Sequence, residues 1–144
     1  MSYIFDLNND GIQESRDYIS RSLDEYNIDY TSVDDNVPLD VYVKDQQTGA
    51  LLGGVVGRTS LGVFFINYFY LPPTIRKMGI GKHILGLAEQ EAVRRGCKTA
   101  LLFTMKIQAP DFYKLNGYEI FGDIPCHPAG NSRIFMMKKL ATDE

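Results

Sequence analysis

The sequence predicts a single α/β domain built on a mixed sheet of about six or seven strands and flanked by helices. From Leu39 to Arg58 two apolar stretches are joined by Asp45-Gln46-Gln47-Thr48-Gly49, the pattern of an antiparallel pair. The strand Phe64–Leu71, a helical pattern and the short apolar run Thr99–Thr104 give strand, helix, strand, which implies a parallel pair joined by a right-handed crossover. Tyr118 to Ile124 and Arg133 to Lys139 add a final antiparallel pair.

Composition fits that class. A chain of 144 residues with 44% hydrophobic and 23% charged residues can bury one core unaided. No apolar run reaches the ~18 residues that span a bilayer, and no basic, apolar leader opens the chain, so a cytoplasmic location and no membrane partner are expected. The two cysteines, Cys97 and Cys126, fit neither a disulfide framework nor a metal-ligand spacing, and no metal is expected. The net charge of −3 hides an asymmetry: residues 1–45 hold three basic and eleven acidic residues, a net −8, which leaves +5 for residues 46–144. A polyanionic cofactor on the basic part and a cationic acceptor near the acidic part suit this field; a simple solvated face suits the acidic segment equally. Scattered basic residues and an acidic pI argue against nucleic acid as a partner.

In chain order, Tyr3–Leu7 reads as a short first strand, and Asn8-Asn9-Asp10-Gly11 as a turn able to cap a helix from Gly11 to about Tyr26. Ile12, Ile19, Leu23 and Tyr26 share one side of that helix. Asn27 to Pro38, without a period, reads as a loop bordering an acceptor site. Leu39, Val41 and Val43 alternate with polar neighbours as a half-buried strand. Gly53, Gly54 and Gly57 in the next strand, Ala50–Arg58, mark a bulge or a ligand passing close to the backbone, or make room for the large rings of the neighbouring strand. Pro110 opens a short helix to Leu115 that Asn116-Gly117 ends, and Pro125-Cys126-His127-Pro128-Ala129-Gly130 is too long for a tight hairpin.

The chemistry concentrates between Tyr68 and Arg95. The strand stops at Pro72-Pro73; Arg76-Lys77-Met78-Gly79-Ile80-Gly81-Lys82 follows and leads into a helix with Ile80, Ile84, Leu85, Ala88 and Ala92 on one face, ended by Gly96. The first turn of a helix offers unpaired N–H groups and the positive end of the dipole, glycines admit a charged ligand to the backbone, and Arg76, Lys77 and Lys82 add charge. Together these make an expected site for a phosphate; the alternative is a tight turn where the helix crosses the sheet, with solvated lysines. The loop lacks the Gly-Lys-Ser/Thr ending of a triphosphate site, which weighs against a nucleotide-binding protein.

The run Phe69-Tyr70-Leu71-Pro72-Pro73-Thr74-Ile75-Arg76-Lys77-Met78-Gly79-Ile80-Gly81 resembles the acyl-CoA signature of the GNAT superfamily of N-acetyltransferases. Gln108-Ala109-Pro110-Asp111-Phe112-Tyr113-Lys114-Leu115-Asn116-Gly117-Tyr118 resembles that superfamily's next block, and the likeness covers roughly residues 39 to 140. The resemblance implies a sheet splayed between the Phe64–Leu71 and Thr99–Thr104 strands, with acetyl-CoA as co-substrate. It implies that the backbone of Phe69, Tyr70 and Leu71 binds pantetheine as an added strand. By the same resemblance the N–H groups of Met78, Gly79, Ile80 and Gly81 hold the pyrophosphate, Gln108 stands where the family usually has a cofactor-facing Asn, and Tyr113 protonates the departing thiolate.

Acetyl transfer needs a neutral amine, and an alkyl ammonium with a pKa near ~10.4 must give up its proton at a cost of roughly 4.6 kcal/mol at pH 7. Many family members place Glu where this chain has Asn67, and an amide does not accept a proton at neutral pH. Asn67 is then left to position a water or the amine, with Asp40, His127 or bulk water completing the transfer. Neither cysteine has an evident base, so direct attack through a tetrahedral intermediate is expected. The expected acceptor is a primary amine, small and cationic rather than a protein amine, on the strength of Asp34, Asp35 and Asp40. The rival reading is an acyl-CoA-binding sensor or scaffold without turnover, which Asn67 favours and Tyr113 opposes. Exposed edge strands leave room for a homodimer.

Overall fold

The computed structural model describes residues 2–108 and 110–140, which fall into two compact units, Met1–Asp34 and Asp35–Glu144.

In the first unit, helix α1 spans Gln13–Thr31. Tyr3–Leu7, expected as a strand, belongs to none: β propensity alone does not make a strand. Asn8 does not cap the helix either. Its side-chain oxygen accepts the N–H groups of Asp10 and Gly11 in a local turn, and Ile12 stands at the N-cap without a side-chain bond. The helix runs five residues past Tyr26, through part of the stretch expected as a loop. Thr31 Oγ1 donates to the Asn27 carbonyl within the last turn, and Ser32 ends the helix in the left-handed conformation with its N–H on the Ile28 carbonyl.

The second unit holds a six-stranded sheet in the order β1-β2-β3-β4-β6-β5. Its strands are β1 (Val37–Lys44), β2 (Leu51–Ser60), β3 (Val63–Tyr70), β4 (Thr99–Met105), β5 (Glu119–Cys126) and β6 (Asn131–Lys139). The β3–β4 pair is parallel and the others are antiparallel. β1 starts two residues before Leu39 and takes in Pro38, which an edge strand tolerates. Leu61 and Gly62, both at positive φ, form the two-residue turn between β2 and β3, and the Asp35 carboxylate accepts the Leu61 N–H. Asp35 therefore serves this turn. β5 runs on to Cys126 and β6 begins at Asn131, so the expected six-residue loop shrinks to a four-residue turn, His127–Gly130, with a cis His127–Pro128 bond. Asn131 closes it by donating its N–H to the Pro128 carbonyl and its side-chain amide to the His127 carbonyl.

Helix α2 (Ile80–Arg94) buries Ile84, Leu85, Ala88 and Ala92 in a core with Leu39, Val55, Phe64, Ile66 and Ala100. Burial of a side chain such as Leu85 contributes about 1.5–3 kcal/mol, and the alanines let the helix lie close to the strands. Arg95, just past the helix, fastens it to the sheet: its Nη1 donates to the Pro38 carbonyl and Thr59 Oγ1, both at 3.0 Å, while its Nε pairs with Glu91. Helix α3 (Pro110–Leu115) starts at the expected proline.

Candidate active site

β3 and β4 pair over four rungs, from Val63↔Thr99 to Ile66↔Leu102, and no further, although β3 continues to Tyr70 and β4 to Met105. The sheet therefore opens between residues 67–70 and 103–105, leaving backbone groups that a ladder would otherwise use. On its far side β3 stays paired with β2, but with a bulge. Tyr68 lies opposite Val56 and Ile66 opposite Gly57, so Asn67 is the extra residue, exposed at the mouth of the opening. Gly57 is required there, because a Cβ would overlap the Phe65 carbonyl oxygen and press on the Phe64 ring. Of the alternatives for the β2 glycines, a bulge and room for a ring are both seen at Gly57.

The carbonyl end of the opening is partly closed by the chain itself. Lys106 donates its N–H to Ser132 on the β6 side, so the preceding Met105 N–H faces the open side by alternation, and the Gln108 side-chain oxygen accepts it at 3.1 Å. The same oxygen accepts Thr104 Oγ1 at 3.2 Å, which leaves the Gln108 amide nitrogen as the group still available.

Beyond β3, Leu71 is buried and Pro73–Ile75 forms a single 3-10 turn. Arg76 folds back: its Nε donates to the Leu71 carbonyl at 2.7 Å and its guanidinium lies 5.9 Å from the Tyr70 ring centroid. Lys77 and Gly79 take positive φ, and Gly79 stands at the N-cap of α2 with no side-chain cap for the first-turn amides. Lys77, Met78 and Lys82 are exposed around that turn, and Ile80 is half-buried against the core. An uncapped N-terminus with two nearby lysines can take an anionic group without displacing a protein contact.

Gly81 ties this turn to the aromatic cluster behind it. A Cβ there would stand 3.1 Å from the Phe112 ring and 3.6 Å from Leu71 Cδ1, so its smallness brings α2 and α3 together. Phe112 packs on Phe69 at 5.5 Å between centroids, and Tyr113 meets Phe69 edge-on at 6.0 Å. Tyr113 is 7% exposed, and burial pushes its hydroxyl up to about 12. The expected pantetheine strand, the anion turn and the tyrosine thus converge. Of the histidines, His83 is exposed in the first turn of α2 beside Lys82, and His127 lies in the β5–β6 turn, whose closing residue Asn131 directs its side-chain amide to the His127 carbonyl and to Met105 at the end of β4.

A buried polar group escaped the sequence reading. Tyr118, 2% exposed, packs edge-on against Tyr113 at 5.8 Å and donates its hydroxyl to Glu89 at 2.7 Å, while Lys138 pairs with the other Glu89 oxygen at 2.8 Å. Burial, then the Glu89 carboxylate, raises the Tyr118 hydroxyl well above the usual phenol range. The partners lie 29 and 49 residues apart, beyond the reach of any local pattern; the one available signal was a glutamate beside Ala88 on the buried stripe.

Cys97 is buried and its thiol is raised by desolvation, the opposite of an activated nucleophile. Among the described residues no group of three or more His, Cys, Asp or Glu is placed to hold a metal, and no helix is long and apolar enough to cross a membrane.

The model of the acetyltransferase (GNAT) family matches residues 6–118. An acetyltransferase of Agrobacterium fabrum is 28% identical over 126 residues, 88% of this chain and 91% of that protein. The blasticidin-S acetyltransferase of Streptomyces morookaense is 30% identical over 106 residues, 72% of this chain and 78% of that protein. The crystal structure of an acetyltransferase from Bacillus cereus superposes with a TM-score of 0.78 at 29% identity, covering 94% of this chain and 98% of that one. With the split sheet, the glycine turn and these relatives in agreement, the chain belongs to the acetyltransferase (GNAT) family and is an acyl-CoA-dependent N-acetyltransferase.

Proposed function

We propose that the protein, acting as one acetyltransferase domain over its whole length in the cytoplasm, moves acetyl from acetyl-CoA to a primary amine of a small cationic acceptor. The observation that carries this reading is the end of β3–β4 pairing at Ile66↔Leu102, beside an uncapped helix N-terminus and a buried tyrosine.

Pantetheine lies along β3 at Phe69, Tyr70 and Leu71, and its pyrophosphate sits on the amides of Met78, Gly79, Ile80 and Gly81, with Lys77 and Lys82 supplying charge. Arg76, engaged with the Leu71 carbonyl, shapes that turn and leaves its outer N–H groups to the cofactor. The Gln108 amide nitrogen faces the cofactor from the β4 side. The neutral amine attacks the thioester carbonyl carbon, β3 N–H groups stabilise the oxyanion, and the C–S bond breaks as the intermediate collapses. Asn67 at the bulge orients the amine or the water that takes its proton.

Tyr113 gives its proton to the thiolate and recovers one from solvent. A phenol at about 12 facing a thiol near ~8.5 in water would make that transfer uphill by roughly 5 kcal/mol. A thiolate leaving into the same dry pocket is raised by the same desolvation, which narrows the gap. Direct attack is supported by the inert setting of Cys97, and a small acceptor by the relative that acts on blasticidin-S. Asn67 in place of a carboxylate favours one rival, a module that binds acyl-CoA without turnover.

Thiol release from acetyl-CoA with a panel of polyamines, aminoglycosides and lysine peptides, from pH 6 to 9, tests the proposal. Turnover with small polycations that rises with pH is the expected result. Acetyl-CoA binding without amine-dependent release from any acceptor would favour the binding module.

A further inference from the structure

The register of the first three strands brings together side chains that no part of the acetyl-CoA site uses. Asp40 lies opposite Val56, which lies opposite Tyr68; on the next rung Tyr42 lies opposite Gly54, which lies opposite Tyr70. Residues paired across a rung share a face, so Asp40, Tyr42, Tyr68 and Tyr70 project to one side of the sheet, opposite the Leu39 and Val55 side that α2 covers. Gly54, at φ 152°, contributes no side chain between Tyr42 and Tyr70 and leaves a floor of bare backbone there.

Tyr42 is 54% and Tyr68 74% exposed, and neither ring stacks on another among the described residues. Asp40 uses one oxygen for the Gly57 N–H at the bulge and the other for the Tyr42 hydroxyl at 2.5 Å, and it pairs with no cation among the described residues. The guanidiniums on this face are engaged: Arg58 lies 4.2 Å over the Phe65 ring and donates to Asn36, and Arg76 lies by Tyr70 and holds the Leu71 carbonyl. They bound the patch along the strands, with one uncompensated carboxylate and two open aromatic faces between them. That is the composition of a cation seat, in which ring faces and a carboxylate attract the same charge.

Its position relative to the bulge sets the ligand. Tyr68 follows Asn67, and two strand spacings of ~4.8 Å separate β3 from β1, so Asp40 lies about 10 Å across the sheet from the strand at which the amine reacts. We propose that this face, with Asp40 and Tyr42 at its centre, holds a second positive charge of the acceptor, an ammonium or guanidinium carried about 10 Å from the amine that is acetylated. The assignment rests on the acetyltransferase reading above and deepens it: the acceptor class becomes extended diamines and polyamines, with Asp40 as a specificity residue and not the base.

The test compares α,ω-diamines of three to ten carbons with n-alkylamines of the same length, reading kcat/KM by thiol release for the native protein, Asp40→Asn and Tyr42→Leu. Asn keeps an oxygen for the Gly57 N–H, so the bulge retains its contact, and a ratio of two substrates in one preparation is insensitive to the folded fraction. The native protein is expected to prefer diamines, most at a chain of about seven to eight carbons. Asp40→Asn is expected to lower the diamine-to-monoamine ratio about tenfold, and Tyr42→Leu, which keeps the charge and removes the ring, by a few-fold. Turnover of both series with no diamine preference, or a ratio that neither variant changes, would overturn the cation seat while leaving the acetyltransferase intact. Absence of amine-dependent thiol release in the native protein would instead overturn the enzyme reading and this inference with it.

Discussion

Tyr113 meets Phe69 edge-on, with ring centroids 6.0 Å apart and planes at 82°. The contact fastens the phenol of a one-and-a-half-turn helix to β3 just beyond the last rung it shares with β4. Because Phe69 orients the proposed acid without supplying chemistry, Phe69→Ala is expected to lower kcat ten- to a hundredfold and to weaken acetyl-CoA binding far less. Steady-state kinetics with calorimetric titration of acetyl-CoA separates the two; a loss of affinity with kcat intact would contradict the role.

Gly57→Ala tests the bulge that exposes Asn67. A methyl group there overlaps the Phe65 carbonyl, so strand backbone has to move, at an expected cost of about 2–3 kcal/mol. For a chain of this size that is a fall in Tm of roughly 5–10 °C, readable by circular dichroism.

Arg95→Lys keeps the charge but loses the planar fork that reaches Pro38, Thr59 and Glu91 together. About 1–3 kcal/mol of stability should be lost in urea titrations, with the effect confined to stability since the contact lies away from the β3–β4 opening.

The buried tyrosines fix the alkaline limit of stability. Both Tyr113 and Tyr118 are raised in the folded protein, so their neutral forms are favoured there; stability is unaffected below pH 10 and falls as pH rises through the folded values. For Tyr113, raised from 10.0 to about 12, the loss amounts to about 2 kcal/mol by pH 12. Tyr118→Phe should cost about 1–3 kcal/mol at pH 7, by removing the hydrogen bond to Glu89, and should flatten the decline between pH 10 and 12. Urea midpoints at four or five pH values measure both.

The sheet and its opening were legible because they rest on local signals. Alternation marked β1, an apolar run marked β4, and Pro72-Pro73 with Gly79 and Gly81 marked the end of β3 and the start of α2. The ring contacts among Phe69, Phe112 and Tyr113 were not legible, because they join β3 to α3 across some forty residues. What escaped depends on partners distant in sequence. Tyr3–Leu7 has strand-forming residues but belongs to no strand, Ser32 rather than Asn27 ends α1, and the β5–β6 strands extend through Pro125 because β5 is an edge. Asn67 as a bulge residue, Asp35 as the holder of the Leu61 amide, and the Glu89–Tyr118–Lys138 contact all require a register or a packing that no single segment encodes.

The most direct test of the central claim is Tyr113→Phe, with kcat measured by thiol release and acetyl-CoA affinity by calorimetry on the same preparation. If acetyl-CoA lies in the β3–β4 opening and Tyr113 protonates the departing thiolate, kcat falls by about a hundredfold or more while the Kd changes by less than about threefold. A kcat equal to that of the native protein would contradict the account, since the buried phenol would then be packing alone.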